Sequence, residues 1–449
     1  MTAPLRLSHE LIEVFRHSET PREDWRIGVE AEKFGLLSPE ATPLQWAGRR
    51  GVEGVFEHLM QRHAWQPAPE VSGGPIISLK RGESSLTLEP ACQLELSSAP
   101  FGSLAEVETE WRAHLAELAP LSEELGLVWL HAGFQPIAAH GDLAWVPKQR
   151  YPIMREYLPT QGRRGLDMMR RTATVQVNLD YDGEADAMNK LVAFLRLTPF
   201  LQAITLNAPF CEGKVSKRKS ERLDVWLNMD PRRSGLITEL WSKPTPRYED
   251  YAAWAQRAGM FLVKRDGQLV LNTGQSFESF GESGFEGFTA TKEDWFQHLG
   301  TLFPEVRLKS TLEVRGVDAL PPRLALAATA LIVGIAYDAE SLDDARALTE
   351  PLGSEQAPQL QRAIAEQGLA TPFNGATIQA TALKLFDLAE RGLRRGAGGG
   401  PGAHYLDPLR TLCERGFTPA DALLERFKGN GRSLQEFVLY EAARSIEEW

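Results

Sequence analysis

Strict alternation of polar and apolar residues in four short segments constrains the fold of this chain more than any other feature of its sequence. In residues 86–97, Glu89, Gln93 and Glu95 fall on one side of a predicted strand, and leucines fall on the other. Side chains on a strand point alternately to its two faces, so residues two apart share a face. The pattern therefore predicts a sheet that buries one face and lines the other with carboxylates and amides.

Three further segments, 25–32, 172–180 and 309–315, repeat this alternation. Their polar faces carry Glu30 and Glu32, then Thr174, Gln176, Asn178 and Asp180, and finally Glu313 and Arg315. The solvent-exposed face of an antiparallel sheet would explain any one of these segments by itself. The four polar faces together hold almost no lysine and concentrate oxygen donors, which favours the hypothesis that the strands adjoin and share one site.

Carboxylates that converge in this way require cations, because two such charges about 4 Å apart repel by roughly 4 kcal/mol at an effective dielectric constant near 20. The donors are oxygen atoms, and the sequence has neither a CxxC pair nor an HExxH motif, so Mg²⁺ or Mn²⁺ is favoured over zinc. Protein-bound magnesium usually shares its coordination with a phosphate chain, which makes ATP the natural second ligand. Arg315, on the same face as Glu313, would supply fixed positive charge to a transferring phosphoryl group. The residues thus indicate a metal-dependent phosphoryl-transfer or ligase site.

Helical periodicity is clearest in six segments of the chain. These are residues 8–17, 104–125, 186–204, 322–337, 358–367 and 376–391. The strands do not alternate with single helices, so we predict an α+β fold in which helices cover an antiparallel sheet, rather than a doubly wound parallel sheet. The 449 residues exceed the roughly 250 to 300 at which one core usually stops growing. We therefore predict a catalytic domain over residues 1–345 and a helical C-terminal region over residues 346–449.

Composition excludes several classes of partner. The formal net charge of −11 argues against a general nucleic-acid surface, which needs clustered Lys and Arg. Cys92, Cys211 and Cys413 are too few and too scattered for a disulfide framework. The sequence has no run of about 18 uncharged apolar residues, and its first twenty residues lack the apolar core of a signal peptide. We expect a cytoplasmic protein with no nucleic-acid or membrane partner.

Two compositionally biased segments leave alternatives open. The basic run "EGKVSKRKSER", 212–222, is typical of a solvated loop, although it also fits a nucleic-acid contact or a loop that reaches over a nucleotide. The stretch "RRGAGGGPGAHY", 394–405, contains the glycine-rich residues 396–402 and fits either a lid or a linker. It does not match the P-loop pattern, so phosphate binding by this loop is the less favoured interpretation.

Seven colinear segments between about residues 25 and 340 resemble the plant-type glutamate-cysteine ligase family. They read "GVEAEKFG", "SLTLEPACQLELSSAP", "GFQPI", "RYPIMREYLP", "GLDMMRRTATVQVNLDY", "FPEVRLKSTLEVRG" and "VGIAYD". The resemblance implies a fold related to glutamine synthetase, with an antiparallel sheet curved into an acidic funnel that binds ATP and magnesium. It also implies that glutamate, ATP and cysteine react through a γ-glutamyl phosphate to give γ-glutamylcysteine, ADP and phosphate, the first step of glutathione synthesis.

The resemblance also assigns roles to individual residues. The family's metal-binding carboxylates fall on Glu30, Glu32, Glu89, Glu95 and Glu313. Its catalytic pair falls on Glu313 and Arg315, and its substrate-binding amides fall on Gln176 and Asn178. Its nucleotide-binding cations fall on Arg222, Arg233 and Arg315. The sequence departs from the plant pattern at Ala91 and Cys92, which replace a glycine pair, and at Ala173, which replaces a cysteine. Thiol-based regulation of the plant kind is therefore not expected, and we expect Cys92 to be buried and inert.

Other functions remain open on the sequence alone. A glutamate ligase with another amine acceptor is the first alternative, since relatives of this fold use other amines. A non-catalytic descendant that binds nucleotide or metal is the second, although it need not keep the whole acidic set. Binding of DNA or RNA rests only on residues 214–222. We expect a monomer or a homodimer.

Overall fold

The alternating segments form neighbouring strands of one large antiparallel sheet in the computed structural model, which describes residues 9–265 and 267–447. The strands are β1 (Ile27–Leu37), β2 (Thr42–Pro43), β3 (Gln66–Pro67), β4 (Leu79–Arg81), β5 (Ser84–Leu88), β6 (Leu94–Ser97), β7 (Leu127–Leu130), β8 (Thr174–Leu179), β9 (Phe210–Cys211), β10 (Lys214–Val215), β11 (Ser234–Gly235), β12 (Leu262–Arg265), β13 (Gln268–Leu271), β14 (Phe303–Pro304), β15 (Val306–Leu308), β16 (Leu312–Asp318), β17 (Pro372–Phe373) and β18 (Ala376–Thr377). The large sheet has the order β15, β16, β8, β1, β6, β5, β4, β3. Strand β1 is central, because its first half pairs with β8 and β6 and its second half pairs with β7 and β2.

The described residues also form helices, and several of these pack on the apolar face of the sheet. They are α1 (His9–Arg16), α2 (Val52–Arg62), α3 (Leu104–Leu118), α4 (Pro120–Leu125), α5 (Tyr151–Gln161), α6 (Gly165–Arg171), α7 (Glu184–Thr205), α8 (Glu221–Trp226), α9 (Thr238–Trp241), α10 (Tyr248–Arg257), α11 (Phe277–Ser283), α12 (Lys292–Leu299), α13 (Pro322–Ala336), α14 (Ala339–Leu348), α15 (Ala357–Gln367), α16 (Ile378–Arg394), α17 (Asp407–Glu414), α18 (Pro419–Asn430) and α19 (Leu434–Glu447). Helix α7 packs against β16, and α13 packs against β8. The prediction of an α+β fold with helices over an antiparallel sheet is confirmed.

The predicted strand at 86–97 is wrong in one respect, because the structure divides it into the hairpin β5–β6. The amide of Glu89 donates to the carbonyl of Gln93 at 3.0 Å, and the amide of Cys92 donates to the carbonyl of Glu89 at 3.0 Å. Cys92 adopts φ +67°, a left-handed conformation typical of turns. Pro90, a turn-forming residue, was the sequence signal for this reversal. Glu89 therefore lies at the turn, while Glu95 lies on β6.

The predicted helix at 104–125 is also divided, into α3 and α4. The second helix begins at Pro120. Proline lacks the amide hydrogen that a continuous helix would need at this position, but it is well suited to the first residue of a new helix.

The C-terminal helices pack directly on the rest of the chain. Helix α16 lies along α13, and α19 packs on β7. Leu385, Phe386 and Leu406 belong to the same apolar core as Val177 and Leu179 of the sheet. The proposed boundary at residue 345 stays a prediction.

Both compositionally biased segments, 212–222 and 394–405, make contacts with the rest of the chain. The amide of Leu104 donates to the carbonyl of Gly398 at 3.1 Å, and a Cβ atom on Gly399 would lie 1.8 Å from the carbonyl oxygen of Gly102. The glycine-rich segment thus packs against the start of α3, as a linker does. In the basic run, Lys219 forms an ion pair of 2.7 Å with Asp421 of α18.

None of the described helices has by itself the length and apolar composition to cross a membrane. Helices α13 and α14 meet those criteria only as a pair, and the pair is bent by 100°. The expectation about a signal peptide concerns in part residues 1–8, which lie outside the described residues.

We predict that Gly392→Ala destabilises the fold, because α13 and α16 touch through their backbones. A Cβ atom on Gly392 would lie 1.9 Å from the carbonyl oxygen of Gly334, so the helices would have to separate. Overpacking of this kind typically costs about 1 to 3 kcal/mol. Thermal unfolding followed by circular dichroism checks the prediction. Gly429→Ala in α18 is the matched control, since no atom lies within 4 Å of its Cβ position. If the Gly392→Ala protein is as stable as this control, the prediction is wrong.

Candidate active site

Cross-strand register brings the predicted carboxylates together on one face of the sheet. Glu32 on β1 lies directly opposite Glu95 on β6. Glu30 lies opposite Gln176 on β8. Directly paired residues have Cβ atoms about 4.5 to 5.5 Å apart, so the side chains of one face are in mutual reach. We call the polar face of β16, β8, β1 and β6 the acidic face.

The fourth strand, β16, completes the acidic face. Glu313 lies opposite Asn178. The Asn178 amide donates to Glu30 at 3.2 Å and accepts from the Thr311 hydroxyl at 2.9 Å. The structure thus brings Glu30, Glu32, Glu95 and Glu313 together from three strands, as the sequence predicted. The outcome follows from the alternation, because each of these residues faces away from the apolar layer.

Burial and mutual repulsion raise the pKa of three of the predicted metal-binding carboxylates, Glu30, Glu32 and Glu89. Burial, followed by the charges of Glu313 and Glu95, raises the pKa of Glu30 to about 8. The pKa of Glu32 is raised well above its ordinary value by burial and then by Glu89 and Glu95. Burial and Glu95 also raise the pKa of Glu89. Bound cations would relieve this repulsion, so the face is chemically suited to hold them.

Glu313 differs from the other carboxylates, because two arginines neutralise it. Burial alone would raise its pKa, but Arg307 and Arg315 hold the pKa below its ordinary value. Arg307 Nε lies 2.6 Å from Glu313 Oε2, and Arg315 Nη1 lies 2.8 Å from Oε1. Arg315 also donates to the side chain of Gln176. Sequence analysis missed Arg307, although its place in "VRLKSTLEVRG" puts it opposite Glu313 once residues 306–318 are recognised as a hairpin.

Hydrogen bonds orient the carboxylates of Glu32 and Glu95. Glu32 Oε2 accepts from the amide of Thr174 at 2.9 Å. Glu95 Oε1 accepts from the hydroxyls of Thr87 at 2.7 Å and Ser97 at 3.0 Å. These bonds fix one oxygen of each carboxylate, and the second oxygen of each remains available to a ligand.

A second basic group lies beside Glu89, and sequence analysis missed it. The charges of Lys148 and Arg150 oppose the rise in the pKa of Glu89. The Lys148 ammonium and the Tyr151 hydroxyl both donate to the carbonyl of Leu88, each at 2.9 Å. Lys148 and Tyr151 therefore fasten the start of α5 to the end of β5, next to the acidic face.

Of the three arginines predicted to bind nucleotide, Arg222 contacts Arg315, whereas Arg233 has other partners. Arg222 is buried against the acidic face, where it donates to the carbonyl of Arg315 at 2.8 Å. Arg233 is fully buried and forms an ion pair of 2.8 Å with Asp230, and it donates to two backbone carbonyls. Both assignments stay predictions, and only Arg222 touches the residues of the acidic face.

The side chain of Gln93 is held by hydrogen bonds at the β5–β6 turn. Its side chain accepts from the amide of Ala91 at 2.9 Å and donates to the carbonyl of Thr172 at 3.1 Å, so it stabilises the β5–β6 turn. The adjacent Cys92 is buried, and burial raises the pKa of its thiol to about 12. The expected burial of Cys92 is confirmed, and a thiol of this pKa is protonated and unreactive at neutral pH.

The donor set fits a hard divalent cation. No three acidic, His or Cys side chains of residues 9–265 and 267–447 form a ready-made metal site by themselves. Magnesium keeps several water or phosphate ligands and takes only one or two carboxylates, so it does not require such a site. A separate cavity of about 450 Å³ lies between β7 and helices α17 to α19, and none of the predicted site residues lines it. The chemistry favours the acidic face as the active site.

Comparisons with known proteins identify the family of this chain. The model of the family described as glutamate-cysteine ligase family 2 (GCS2) matches residues 26–440. The chloroplastic glutamate-cysteine ligase of Nicotiana tabacum is 37% identical over 426 residues, which cover 93% of this chain and 80% of that protein. The chloroplastic glutamate-cysteine ligase A of Oryza sativa subsp. indica is 36% identical over 431 residues, covering 95% and 86%.

A solved structure supports the fold. The crystal structure of glutamate-cysteine ligase from Francisella tularensis in complex with AMP superposes with a TM-score of 0.57 and covers 94% of this chain and 88% of that one. Its sequence identity of 14% is low, so this likeness concerns the fold alone.

We predict that Glu30 makes the cation-free protein less stable as pH rises. The unfolded chain loses the Glu30 proton near pH 4.5, whereas the folded protein keeps it to about pH 8. Folding therefore takes up a proton between these two pH values, and stability falls as pH rises through this window. Glu30→Gln removes this contribution, so its melting temperature in EDTA should exceed that of the wild type by a margin that grows up to about pH 8.

Glu57→Gln on the exposed surface of α2 is the control for this measurement, and it should follow the wild type at every pH. A margin for Glu30→Gln that stays constant from pH 5 to pH 8 would contradict the prediction.

Proposed function

The chain belongs to glutamate-cysteine ligase family 2. From this premise we propose that its acidic face joins the γ-carboxylate of L-glutamate to the amine of L-cysteine, while ATP is converted to ADP and phosphate. The observation that carries the proposal is the convergence of Glu30, Glu32, Glu95 and Glu313, from three strands, beside Arg315. The product, γ-glutamylcysteine, makes this the first step of glutathione synthesis.

Activation of the carboxylate is the chemical problem that the site must solve. A carboxylate is a poor acyl donor, because its leaving group would be oxide. In the proposed reaction the γ-carboxylate of glutamate attacks the γ-phosphoryl group of ATP, which gives γ-glutamyl phosphate and ADP. The amine of cysteine, once deprotonated, then attacks the acyl carbon and expels phosphate. The described geometry calls for no nucleophilic side chain, which agrees with the buried, protonated thiol of Cys92.

Arg315 is the residue that we propose to stabilise charge on the transferring phosphoryl group. Glu313 and Gln176 hold its guanidinium on the acidic face, and Arg222 holds its backbone carbonyl. A cation fixed in this way need not reorganise as charge develops, which is the main source of electrostatic catalysis. We propose that Arg222 acts on the nucleotide through Arg315. A direct nucleotide contact by Arg233 would require that it give up its ion pair with Asp230.

The carboxylates Glu30, Glu32, Glu89, Glu95 and Glu313 would hold Mg²⁺, or Mn²⁺ in its place. Each ion would take one or two of these carboxylates, and the ions bound there would neutralise phosphate charge and orient the phosphate chain. The raised pKa values of Glu30, Glu32 and Glu89 support this assignment, since these groups lack the countercharge that Arg307 and Arg315 give to Glu313. Gln176 and Asn178, on the neighbouring strand, are proposed to line the glutamate site.

The remaining properties follow from this function as proposals. The partners are small molecules, namely glutamate, cysteine and ATP, with no role for nucleic acid or a membrane. We propose a cytoplasmic monomer or homodimer, with catalysis in residues 1–345 and a supporting helical region in residues 346–449.

We predict that Glu95→Gln abolishes turnover while the fold stays intact. The amide keeps the size of the side chain and its hydrogen bond to Thr87, but it removes a charged oxygen that would bind the cation. Release of ADP in the presence of glutamate, cysteine and Mg²⁺ should fall by about 100-fold or more, with a melting temperature no lower than that of the wild type. The control Glu57→Gln should keep full activity.

The same assay tests the acceptor. Wild-type protein should release ADP rapidly only when cysteine is present with glutamate. Preference for an amine without a thiol would contradict cysteine as the acceptor, and absence of ADP release with every amine would contradict the enzymatic function.

A further inference from the structure

The cavity between β7 and helices α17 to α19, which the start of α13 also lines, is large enough to hold a small molecule. Its volume of about 450 Å³ lies within the roughly 300 to 1,000 Å³ of small-molecule sites. Half of the residues that line it are apolar, among them Leu324, Leu412 and Leu423. These three leucines are only partly buried, so their side chains can contact a ligand with an apolar body.

Hydrogen bonds and prolines fix the walls of the cavity. On one side, the Asn207 side chain donates to the carbonyls of His131 at 3.0 Å and Ala319 at 2.9 Å, which joins the residues after β7 to those after β16. On the other side, Arg426 of α18 donates to both carboxylate oxygens of Glu441 of α19, at 3.0 and 2.7 Å. A proline stands at the start of α13, α17 and α18, where its fixed φ restricts the path of the chain. The cavity is therefore preformed, and a ligand need not order its walls.

The start of α13 forms a positive end of the cavity. Arg323 lines the cavity and is exposed, and within residues 9–265 and 267–447 its side chain forms no hydrogen bond or ion pair. The first turn of α13 has neither an acidic residue nor a side-chain cap to oppose the positive end of the helix dipole. The Arg323 guanidinium and the helix dipole repel each other, so an anion bound between them would relieve this repulsion.

The two carboxylates that line the cavity already face positive charge. Glu441 is bound by Arg426, at 2.7 Å, and lies 3.5 Å from Arg444. Asp407 lies in the first turn of α17, where its charge opposes the dipole of that helix. Arg323 is thus the lining cation that an incoming anion can reach without displacing a carboxylate of the described chain.

We propose that this cavity binds a small molecule that has an apolar body and one carboxylate, with the carboxylate held by Arg323. A guanidinium fits a carboxylate through two parallel hydrogen bonds. A single arginine also matches a singly charged group better than a doubly charged phosphate. None of the carboxylates of the acidic face lines this cavity, and glutamate and cysteine lack an apolar body that could contact its leucines. The ligand therefore differs from the proposed substrates.

Displacement of the fluorescent probe anilinonaphthalene sulfonate, which combines aromatic rings with one negative charge, tests the proposal on the full chain. One probe molecule should bind per chain, and phenylbutanoate should displace it. Phenylbutanamide is a neutral analogue of nearly the same shape, and it should bind at least about tenfold more weakly than the acid. Equal affinities of acid and amide, or a preference for the cation phenylbutylamine, would overturn the proposal.

Substitution of Arg323 tests the position of the carboxylate. Arg323→Met should weaken the binding of phenylbutanoate by about tenfold or more but leave that of phenylbutanamide unchanged, since the amide carries no charge. Arg323→Lys keeps the charge and should restore most of the affinity. Arg432→Met is the control, because Arg432 is an exposed arginine that stacks on Tyr440 and does not line the cavity. The proposal is wrong if Arg323→Met weakens acid and amide equally or weakens neither.

Filling the cavity tests whether the probe binds there. Ala422 lines the cavity and is only partly buried, so the ring of Ala422→Phe would occupy its space and prevent binding of the probe. Ala253→Phe on the exposed side of α10 is the matched control. Unchanged probe binding by a folded Ala422→Phe protein would place the probe elsewhere and overturn the proposal. If this variant does not fold, the Arg323 variants decide.

Two further measurements separate this site from other uses of the cavity. ADP with Mg²⁺, and glutamate, should not displace the probe; displacement by either would make the cavity part of the active site and overturn the proposal. Sedimentation velocity should give the same oligomeric state for Ala422→Phe and the wild type. A change from dimer to monomer would show that the cavity is a contact between two copies instead. All of these readouts are independent of turnover, so they stand whether or not the proposed ligase activity is found.

Discussion

Mutual repulsion among buried carboxylates is the interaction on which the rest of this structure depends. Antiparallel pairing fixes Glu32 opposite Glu95 and Glu30 beside Asn178, and the apolar faces of the same strands prevent these side chains from turning away. The sheet therefore holds its carboxylates in an arrangement that is unfavourable without a partner. The energy of packing maintains a site that gains stability when cations and a phosphate chain bind.

The negative charge of the carboxylates is compensated differently at the two ends of the acidic face. At β16, Arg307 and Arg315 neutralise Glu313, which is already ionised and oriented before any ligand arrives. At β1 and the β5–β6 turn, Glu30, Glu32 and Glu89 have raised pKa values, and binding of a cation at neutral pH displaces the proton of Glu30, whose pKa is about 8. The first arrangement fixes a positive group for catalysis, and the second leaves room for a metal ion.

Much of this site could be predicted from sequence, because period-two alternation determines which residues share a face. That rule placed Glu30, Glu32, Glu95 and Glu313 on one face, but it treated residues 86–97 as one strand and so missed the reversal between β5 and β6. The pattern counts faces and does not show where a chain reverses. The partners Arg307 and Lys148 were missed for a related reason. Arg307 faces Glu313 only because β15 and β16 form a hairpin, and Lys148 reaches the carbonyl of Leu88 from the segment before α5; alternation shows neither reversal.

Diffraction from crystals grown with Mn²⁺ and a non-hydrolysable ATP analogue would test the central claim most directly. Anomalous scattering locates manganese without reference to the protein coordinates. Our account predicts manganese within about 2.2 Å of carboxylate oxygens from at least two of Glu30, Glu32, Glu95 and Glu313, with phosphate oxygens of the analogue completing the coordination. Manganese and analogue bound elsewhere, with these carboxylates uncoordinated, would contradict it.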